Sequence, residues 1–421
     1  MSTSAPPVLA LGLSGGGDST ALLAAIRQSA PEITLHALIV DHGLREASAR
    51  EAEWAADLAR RLGAHAQILR WSTPEPSQGR ARLARHRLLA EACQSVGASI
   101  LCLAHTYEDR VETLRMRARR DGDWPTMIGP GLYDRSPVWP SGRGLVIARP
   151  FLGLKRAALR AYLSNTGVDW IDDPSNHNEV FERVRLRNAP IAKDHETALI
   201  AFSDAARGLD RDVRRDAYAA FLSSVKTQSW GGFALNRTGM SDLALPVASR
   251  LFGALALAVS GHDRFLSPAQ IKSGLSALRE GGDWTGGGVR LTREGLLGRD
   301  RGAVEGRADG AGAIQDLILD GGDTGVFDGR WLIEAKIAMR IGISTAQSAC
   351  DCAPSPFRTS LPVEAESGLH LASEGIERLG AIRLLLTERV RSVLLPPAVP
   401  LWFNRLCTAC REPVALARPV S

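Results

Sequence analysis

Cysteine is scarce: six in 421 residues, too few for a chain of this length to be built on a disulfide scaffold. Aromatic residues make up only 5% of the chain, even though nine of them are tryptophan. No apolar run is long and clean enough to read as a membrane span; LALPVASRLFGALALAVSG at 243–261 is broken by Arg250 and reads as a pair of buried helical turns. The opening MSTSAPPVLALGL combines no basic start, long apolar region and cleavage site, so a cytoplasmic protein with no membrane partner is expected. No internal repeat is visible. What is present is an ordinary soluble composition, 45% hydrophobic and 23% charged, long enough for two or three domains. The net charge of +5 and pI near 9.0 favour an anionic partner, nucleic acid among the candidates, without selecting one.

The first half alternates short apolar runs with amphipathic segments. Strands are predicted at 8–13, 33–40, 65–71 and 98–105, and helices at 19–29, 47–63 and 80–97. That alternation predicts an α/β fold with a parallel, Rossmann-like sheet, whose ligands bind at the carboxyl ends of the strands. Ser14, Asp41 and His105 fall there. The Gly- and Pro-rich stretch 121–144 has no period and is either an active-site loop or a connection. A strand, a helix over 154–166 and a polar tail of alternating arginines follow, then a largely helical segment to about residue 220. Beyond it, glycine turns join β elements interrupted by helices at 251–259 and 268–279, and GAVEGRADGAGA at 302–313 reads as a linker. The expected division is a catalytic domain over 1–200, a helical and mixed accessory domain over 201–305, and a C-terminal α+β domain over 314–421.

The stretch LALGLSGGGDSTALL, residues 9–23, carries the sharpest chemistry. Gly15, Gly16 and Gly17 let backbone amides converge on one point with no Cβ in the way. The following helix directs its free N–H groups there, and Ser14, Ser19 and Thr20 add hydroxyl donors. Asp18 brings a negative charge that a bare phosphate nest does not need; it can orient the loop amides or hold Mg2+ against bound phosphates. No lysine follows the glycines, so this is not the GxxxxGK[ST] loop, and the GxGxxG spacing fails as well. A tight structural turn stays open as an alternative.

Beyond these features, SGGGDSTALL resembles the PP-loop of the N-type ATP pyrophosphatases. VDHGLR at 40–45 narrows the resemblance to the tRNA(Ile)-lysidine synthetases, and LAHTYEDRVET at 103–113, ARPFLGLKRAALRAYL at 148–163 and WIDDPSNHNEVFERVRLR at 170–187 extend it over the first half. The second half resembles that family's accessory tRNA-binding region only in outline. The resemblance implies a PP-loop catalytic domain that uses ATP and Mg2+ to adenylate the C2 oxygen of the wobble cytidine in tRNA(Ile) with a CAU anticodon. Free L-lysine then displaces AMP to give lysidine, with pyrophosphate released in the first step. A homodimer is compatible with the chain.

Carried over residue by residue, the resemblance implies that Ser14, Gly15, Gly16, Gly17, Asp18, Ser19, Thr20 and Arg149 bind the nucleotide, with Asp18 also on the metal. Asp41, which closes an apolar strand, falls beside the nucleotide, with a turn-capping role as the plainer alternative. His105, Glu108, Asp109 and Glu112 join Asp18 and Asp41 as candidate catalytic groups, since carboxylates can hold the lysine amine and a base must make it nucleophilic. Arg85, Arg119, Arg120, Arg183, Arg185 and Arg187 are candidate tRNA ligands, positioning phosphates rather than reading the base. Three departures stand out: His86 replaces an aromatic residue, Glu108 replaces the first of two aspartates, and RARRDGDWPTMIGPG at 117–131 keeps only the general character of the family's arginine–glycine loop. These keep two alternatives open, another PP-loop enzyme such as a thiolase and a catalytically weakened RNA-binding paralogue. Cys407 and Cys410 have metal-ligand spacing and Cys350 with Cys352 could complete a zinc site, but separate thiol pairs are the simpler reading; Cys93 and Cys102 read as core.

Overall fold

A computed structural model describes residues 6–41, 43, 46–71, 78–120, 124–172, 185–186, 188–306, 314–343, 357, 362–364 and 380–417. The chain forms two compact units, residues 1–210 with 397–421, and residues 211–396.

The first unit opens with β1 (Val8–Gly12), α1 (Gly17–Ser29), β2 (Thr34–Asp41), α2 (Glu46–Arg61), β3 (His65–Arg70), α3 (Gln78–Ser95), β4 (Ile100–Cys102) and α4 (Tyr107–Ala118). It continues through β5 (Tyr133–Arg135), β6 (Val146–Ala148), α5 (Arg156–Thr166) and α6 (Lys193–Ser224), within which the chain passes into the second unit. The strand order is β3-β2-β1-β4-β6-β5. All pairings are parallel except β5 on β6. Central strands β1, β4 and β6 are almost wholly buried, which is why they read as unbroken apolar runs rather than alternating ones. From β1 the chain builds outward to β2 and β3, then crosses to β4 on the other side. This reversal opens a crevice at the carboxyl ends of β1 and β4, the place where open α/β sheets bind ligands.

Two features of this unit depart from the expected organisation. The aperiodic 121–144 stretch contains the edge strand β5, three residues long and therefore below the reach of periodicity. The chain end returns to the first unit: α12 (Leu401–Ala409) and α13 (Glu412–Ala415) pack where a C-terminal α+β domain running to 421 was expected. Phe403, Leu406, Cys407, Cys410 and Val414 join one core with residues of α1 and α5. Tyr133 donates to Asn404 at 2.7 Å. The apolar face of α12 has nowhere else to go, and α1, with nine buried positions, needs cover on more than its sheet side.

In the second unit, β7 (Val225–Gln228), β8 (Gly232–Leu235), α7 (Arg237–Ser241), α8 (Leu245–Ser260), α9 (Pro268–Glu280), β9 (Trp284–Gly286), β10 (Val289–Leu291), β11 (Leu296–Arg299) and α10 (Arg301–Glu305) come first. Strands β12 (Leu317–Leu319), β13 (Thr324–Phe327), β14 (Trp331–Ala335), β15 (Met339–Ile343), β16 (Pro362–Glu364) and β17 (Gly380–Leu384) precede α11 (Leu386–Leu394). They form sheets β7-β8-β11-β10-β9, β12-β15-β16 and β13-β14-β17. The apolar 243–261 stretch is one helix, α8, rather than two short turns, with its last ten residues buried. Among the described residues no helix is long and apolar enough to cross a membrane. Most of the expected linker, 307–313, and the Cys350–Cys352 pair lie outside the described residues.

Candidate active site

The glycine loop bridges the end of β1 and the start of α1. Gly15 has φ +78°, a left-handed conformation that a side chain would strain. Hydroxyls stitch the bend together: Ser19 Oγ donates to the Gly16 carbonyl at 3.0 Å and lies 3.0 Å from Ser14 Oγ, while Thr20 Oγ1 donates to the Gly15 carbonyl at 3.2 Å. Ser19 and Thr20 are thus partly committed to shaping the loop. The Ile171 amide donates to the Gly15 carbonyl at 2.9 Å, so the segment after α5 forms a second wall.

Three strands, β1, β4 and β6, deliver three helices whose amino ends converge here. Asp18 enters from α1, and Glu108, Asp109 and Glu112 enter from the first turns of α4. Arg156, the first residue of α5, ties them together. Its guanidinium lies 3.0 Å from Asp18 Oδ2, 2.7 Å from Asp109 Oδ1 and 3.5 Å from Glu112 Oε1. Its backbone N–H donates to both Glu108 oxygens, at 3.2 and 3.1 Å. A cation at a helix amino end is normally disfavoured by the helix dipole. Here Glu108 supplies the missing cap of α5, and the other carboxylates hold the guanidinium.

The electrostatics divide these carboxylates. Burial raises Asp18 above the usual aspartate range, and Arg156 only partly offsets it. Burial would also raise Asp109, but Arg156 and the Thr106 amide outweigh it and hold it low. Asp109 Oδ2 accepts from both the Thr106 amide, at 2.8 Å, and its hydroxyl, at 3.0 Å, capping α4. Arg156 is driven above its ordinary value: desolvation opposes this, but Asp109 and Asp18 prevail.

Arg149, an expected nucleotide ligand, is buried and donates through Nη1 to the Gly131 carbonyl at 2.9 Å and to Asp134 at 2.6 Å, pinning β5. Asp41 accepts from the Gly43 amide at 3.0 Å and from the Ser48 hydroxyl, the geometry of a turn cap. Arg85 is half-buried on α3, Arg119 and Arg120 are exposed at the end of α4, and Arg185 is exposed. Arg183 and Arg187 lie outside the described residues. In the sequence, Arg156 does no more than frame the start of its helix in ARPFLGLKR. The available signal was a positive charge in a first helical turn, against the dipole rule.

Residues 2–193 match the PP-loop domain family. The tRNA(Ile)-lysidine synthase of Caulobacter vibrioides is 32% identical over 343 residues, covering 79% of this chain and 76% of that protein. The Brucella anthropi protein of the same name is 32% identical over 396 residues, covering 89% and 84%. This chain belongs to the tRNA(Ile)-lysidine synthase family. The Hyphomonas neptunium member is 45% identical over 177 residues, a match spanning 42% of this chain and 48% of that one. Among solved structures, a U34-tRNA thiolase from Methanococcus maripaludis superposes with TM-score 0.40 at 14% identity, covering 48% of this chain and 71% of that one.

Within this tRNA(Ile)-lysidine synthase fold, the described cysteines are core residues. Cys102, Cys407 and Cys410 are buried, and burial raises all three thiols, Cys410 to about 12. Thiols held so high carry little of the thiolate that sulfur chemistry or metal binding needs.

The substituted residue His86 is 8% exposed. Burial, then the charges of Arg82, Arg85 and Arg149, push it from 6.5 down to about 4, and burial with Arg149 takes His105 to about 3. Both are neutral at physiological pH. The unfolded chain protonates His86 near 6.5 and the folded one only near 4. Between those values the unfolded state binds more protons, so stability is full above the window and falls as pH drops through it. The full difference for His86 amounts to about 3 kcal/mol. Denaturation midpoints measured from pH 8 to 4.5 should therefore fall less steeply for His86→Gln than for the unmodified chain; parallel curves would remove this account.

Proposed function

We propose that the chain joins lysine to C2 of the wobble cytidine of tRNA(Ile) carrying a CAU anticodon, at the expense of ATP. The observation that carries this reading is the juxtaposition, at one sheet crevice, of an amide-lined PP-loop with four carboxylates gathered on Arg156. In the first step the cytidine C2 oxygen attacks the α-phosphorus, forming the new O–P bond as pyrophosphate leaves. In the second, the lysine amine attacks C2, the C–O bond to AMP breaks, and the amine loses a proton. Amides of Gly15, Gly16 and Gly17 suit the charge on the departing pyrophosphate because they are already fixed before reaction. The acidic cluster from α4 suits an ammonium group that must bind before it is deprotonated.

Asp18 fits a Mg2+ ligand. Among the described residues its Oδ1 is buried without a hydrogen-bond partner, while Oδ2 is held by Arg156. No group of three or more His, Cys, Asp or Glu among the described residues is arranged to hold a metal by itself. A single carboxylate with phosphate oxygens and water is a usual Mg2+ environment. When bound, the ion would offset repulsion among the phosphates. The second unit and the exposed arginines Arg119, Arg120 and Arg185, with Arg85, would hold the tRNA, and free lysine would enter beside Glu108, Asp109 and Glu112.

The test is incubation of the full chain with ATP, Mg2+, labelled lysine and the CAU-anticodon tRNA. Label in the tRNA with equimolar AMP and pyrophosphate is the expected result. Tight tRNA binding without AMP formation, or sulfur incorporation in place of lysine, would overturn the proposal.

A further inference from the structure

We infer that Arg160 is a phosphate ligand of the nucleotide site, an assignment that rests on the ATP reading above. Arg160 lies one turn beyond Arg156 on α5, and the two arginines bracket the start of α1. Whereas Arg156 is saturated by carboxylates, Arg160 lies against Gly17. A Cβ added to Gly17 would fall 2.3 Å from Nη1 of Arg160, 2.6 Å from Cζ and 3.0 Å from Nε. Gly17 is not among the positive-φ glycines, so its backbone does not demand glycine. The space the guanidinium occupies does.

The guanidinium is steadied from two sides by the segment that walls the loop. Cζ lies 5.0 Å from the centre of the Trp170 ring, and Nη2 pairs with Asp172 Oδ1 at 3.1 Å. Between these residues, the Ile171 amide is bonded to the Gly15 carbonyl. Nη1 is buried and, among the described residues, has no hydrogen-bond partner. A buried donor left unmade is costly, and an acceptor that reached it would be favoured strongly. That acceptor must fit beside loop amides and the positive end of α1, next to two arginines. An anionic oxygen suits this place, and a guanidinium fork presents its donors to phosphate in fixed geometry. Arg160 therefore supplies a side-chain cation to a loop that has no lysine of its own.

The test is calorimetric titration of the full chain with Mg-ATP and with Mg-pyrophosphate, beside lysine incorporation kinetics. Arg160→Ala should weaken both ligands at least tenfold and raise KM for ATP while leaving KM for lysine unchanged; Arg160→Lys should fall between. Gly17→Ala, whose methyl displaces the guanidinium, should weaken ATP binding in the unmodified background and add little once Arg160 is alanine, a non-additivity that a purely structural role does not give. Unchanged ATP affinity in folded Arg160→Ala, or in Gly17→Ala should the first variant not fold, overturns the assignment alone. If the unmodified chain takes up no ATP, the ATP reading falls and takes this assignment with it.

Discussion

Replacing Arg156 by alanine should cut lysine incorporation by about a thousandfold, the loss of several kcal/mol that follows when one partner of a largely buried charge cluster is removed. The Arg156 side chain is 21% exposed, and the Asp18, Asp109 and Glu112 side chains are 24%, 14% and 5% exposed. Without it, three carboxylates face one another in a poorly screened crevice that must also receive a triphosphate. Burial already raises Asp18, and loss of its neighbouring cation would raise it further. A shift in that direction disfavours the charged form of Asp18, the form that holds a cation. Arg156→Lys keeps the charge but not the fork, which reaches Asp18, Asp109 and Glu112 through three different nitrogens. It should recover part of the lost rate. Guanidinium ion added to the alanine variant should recover some as well, since it refills the vacated space. The checks are kcat for lysidine formation and ATP affinity; wild-type turnover in Arg156→Ala would dismantle the hub.

The convergence explains why four acidic residues can share one crevice. Each of α1, α4 and α5 points its amino end at the site, and a helix amino end stabilises nearby negative charge. Glu108 and Asp109 use that directly, one capping α5 and the other capping α4. The same carboxylates therefore fix the helices relative to one another and present charge to substrate. Glu108→Gln would keep an acceptor for the Arg156 amide while removing a charge, which separates these two roles.

The sheet and its loop were legible because parallel strands buried on both faces produce apolar runs, and because three glycines between a strand and a helix have few other uses. The carboxylates were legible too, since Glu108 and Glu112 stand one turn apart and Asp109 sits between. Their partner was not. Arg156 meets Asp18 across 138 residues and Asp109 across 47, and no local period encodes a contact at that range. Arg149 illustrates the opposite difficulty. Its position after β6 matches a nucleotide ligand, while its pairing with Asp134, on an edge strand too short to anticipate, carries no local signal. The return of α12 to the first unit was hidden for a related reason: amphipathicity shows that a helix needs a partner, not which one.

The second large effect belongs to the second unit, where Asp328→Asn should destabilise the fold by about 3 to 5 kcal/mol. Asp328 lies 3.1 Å from Arg299 Nη2 through one oxygen and 2.7 Å from Arg330 Nη2 through the other, and the three side chains are 5%, 2% and 0% exposed. Arg299 closes β11, whereas Asp328 and Arg330 form the turn between β13 and β14, so the carboxylate joins two sheets. Arg330 Nη1 also donates to the Gly231 carbonyl at 3.2 Å, in the turn between β7 and β8. Losing the carboxylate charge takes from two buried guanidinium groups the acid that both of them share. Asparagine is the informative replacement because Asp328 has φ +47°, a conformation asparagine tolerates far better than alanine does. The cost of charge is thereby separated from that of backbone strain. Adding Arg299→Met to Asp328→Asn should recover stability, since it removes one of the stranded charges. Denaturant unfolding followed by tryptophan fluorescence, with Trp230 and Trp331 in the neighbouring core, measures both steps. If the second unit holds the tRNA, Asp328→Asn should weaken tRNA binding while ATP titrates the first unit with unchanged affinity. An equal loss of both would instead make the two units one cooperative structure.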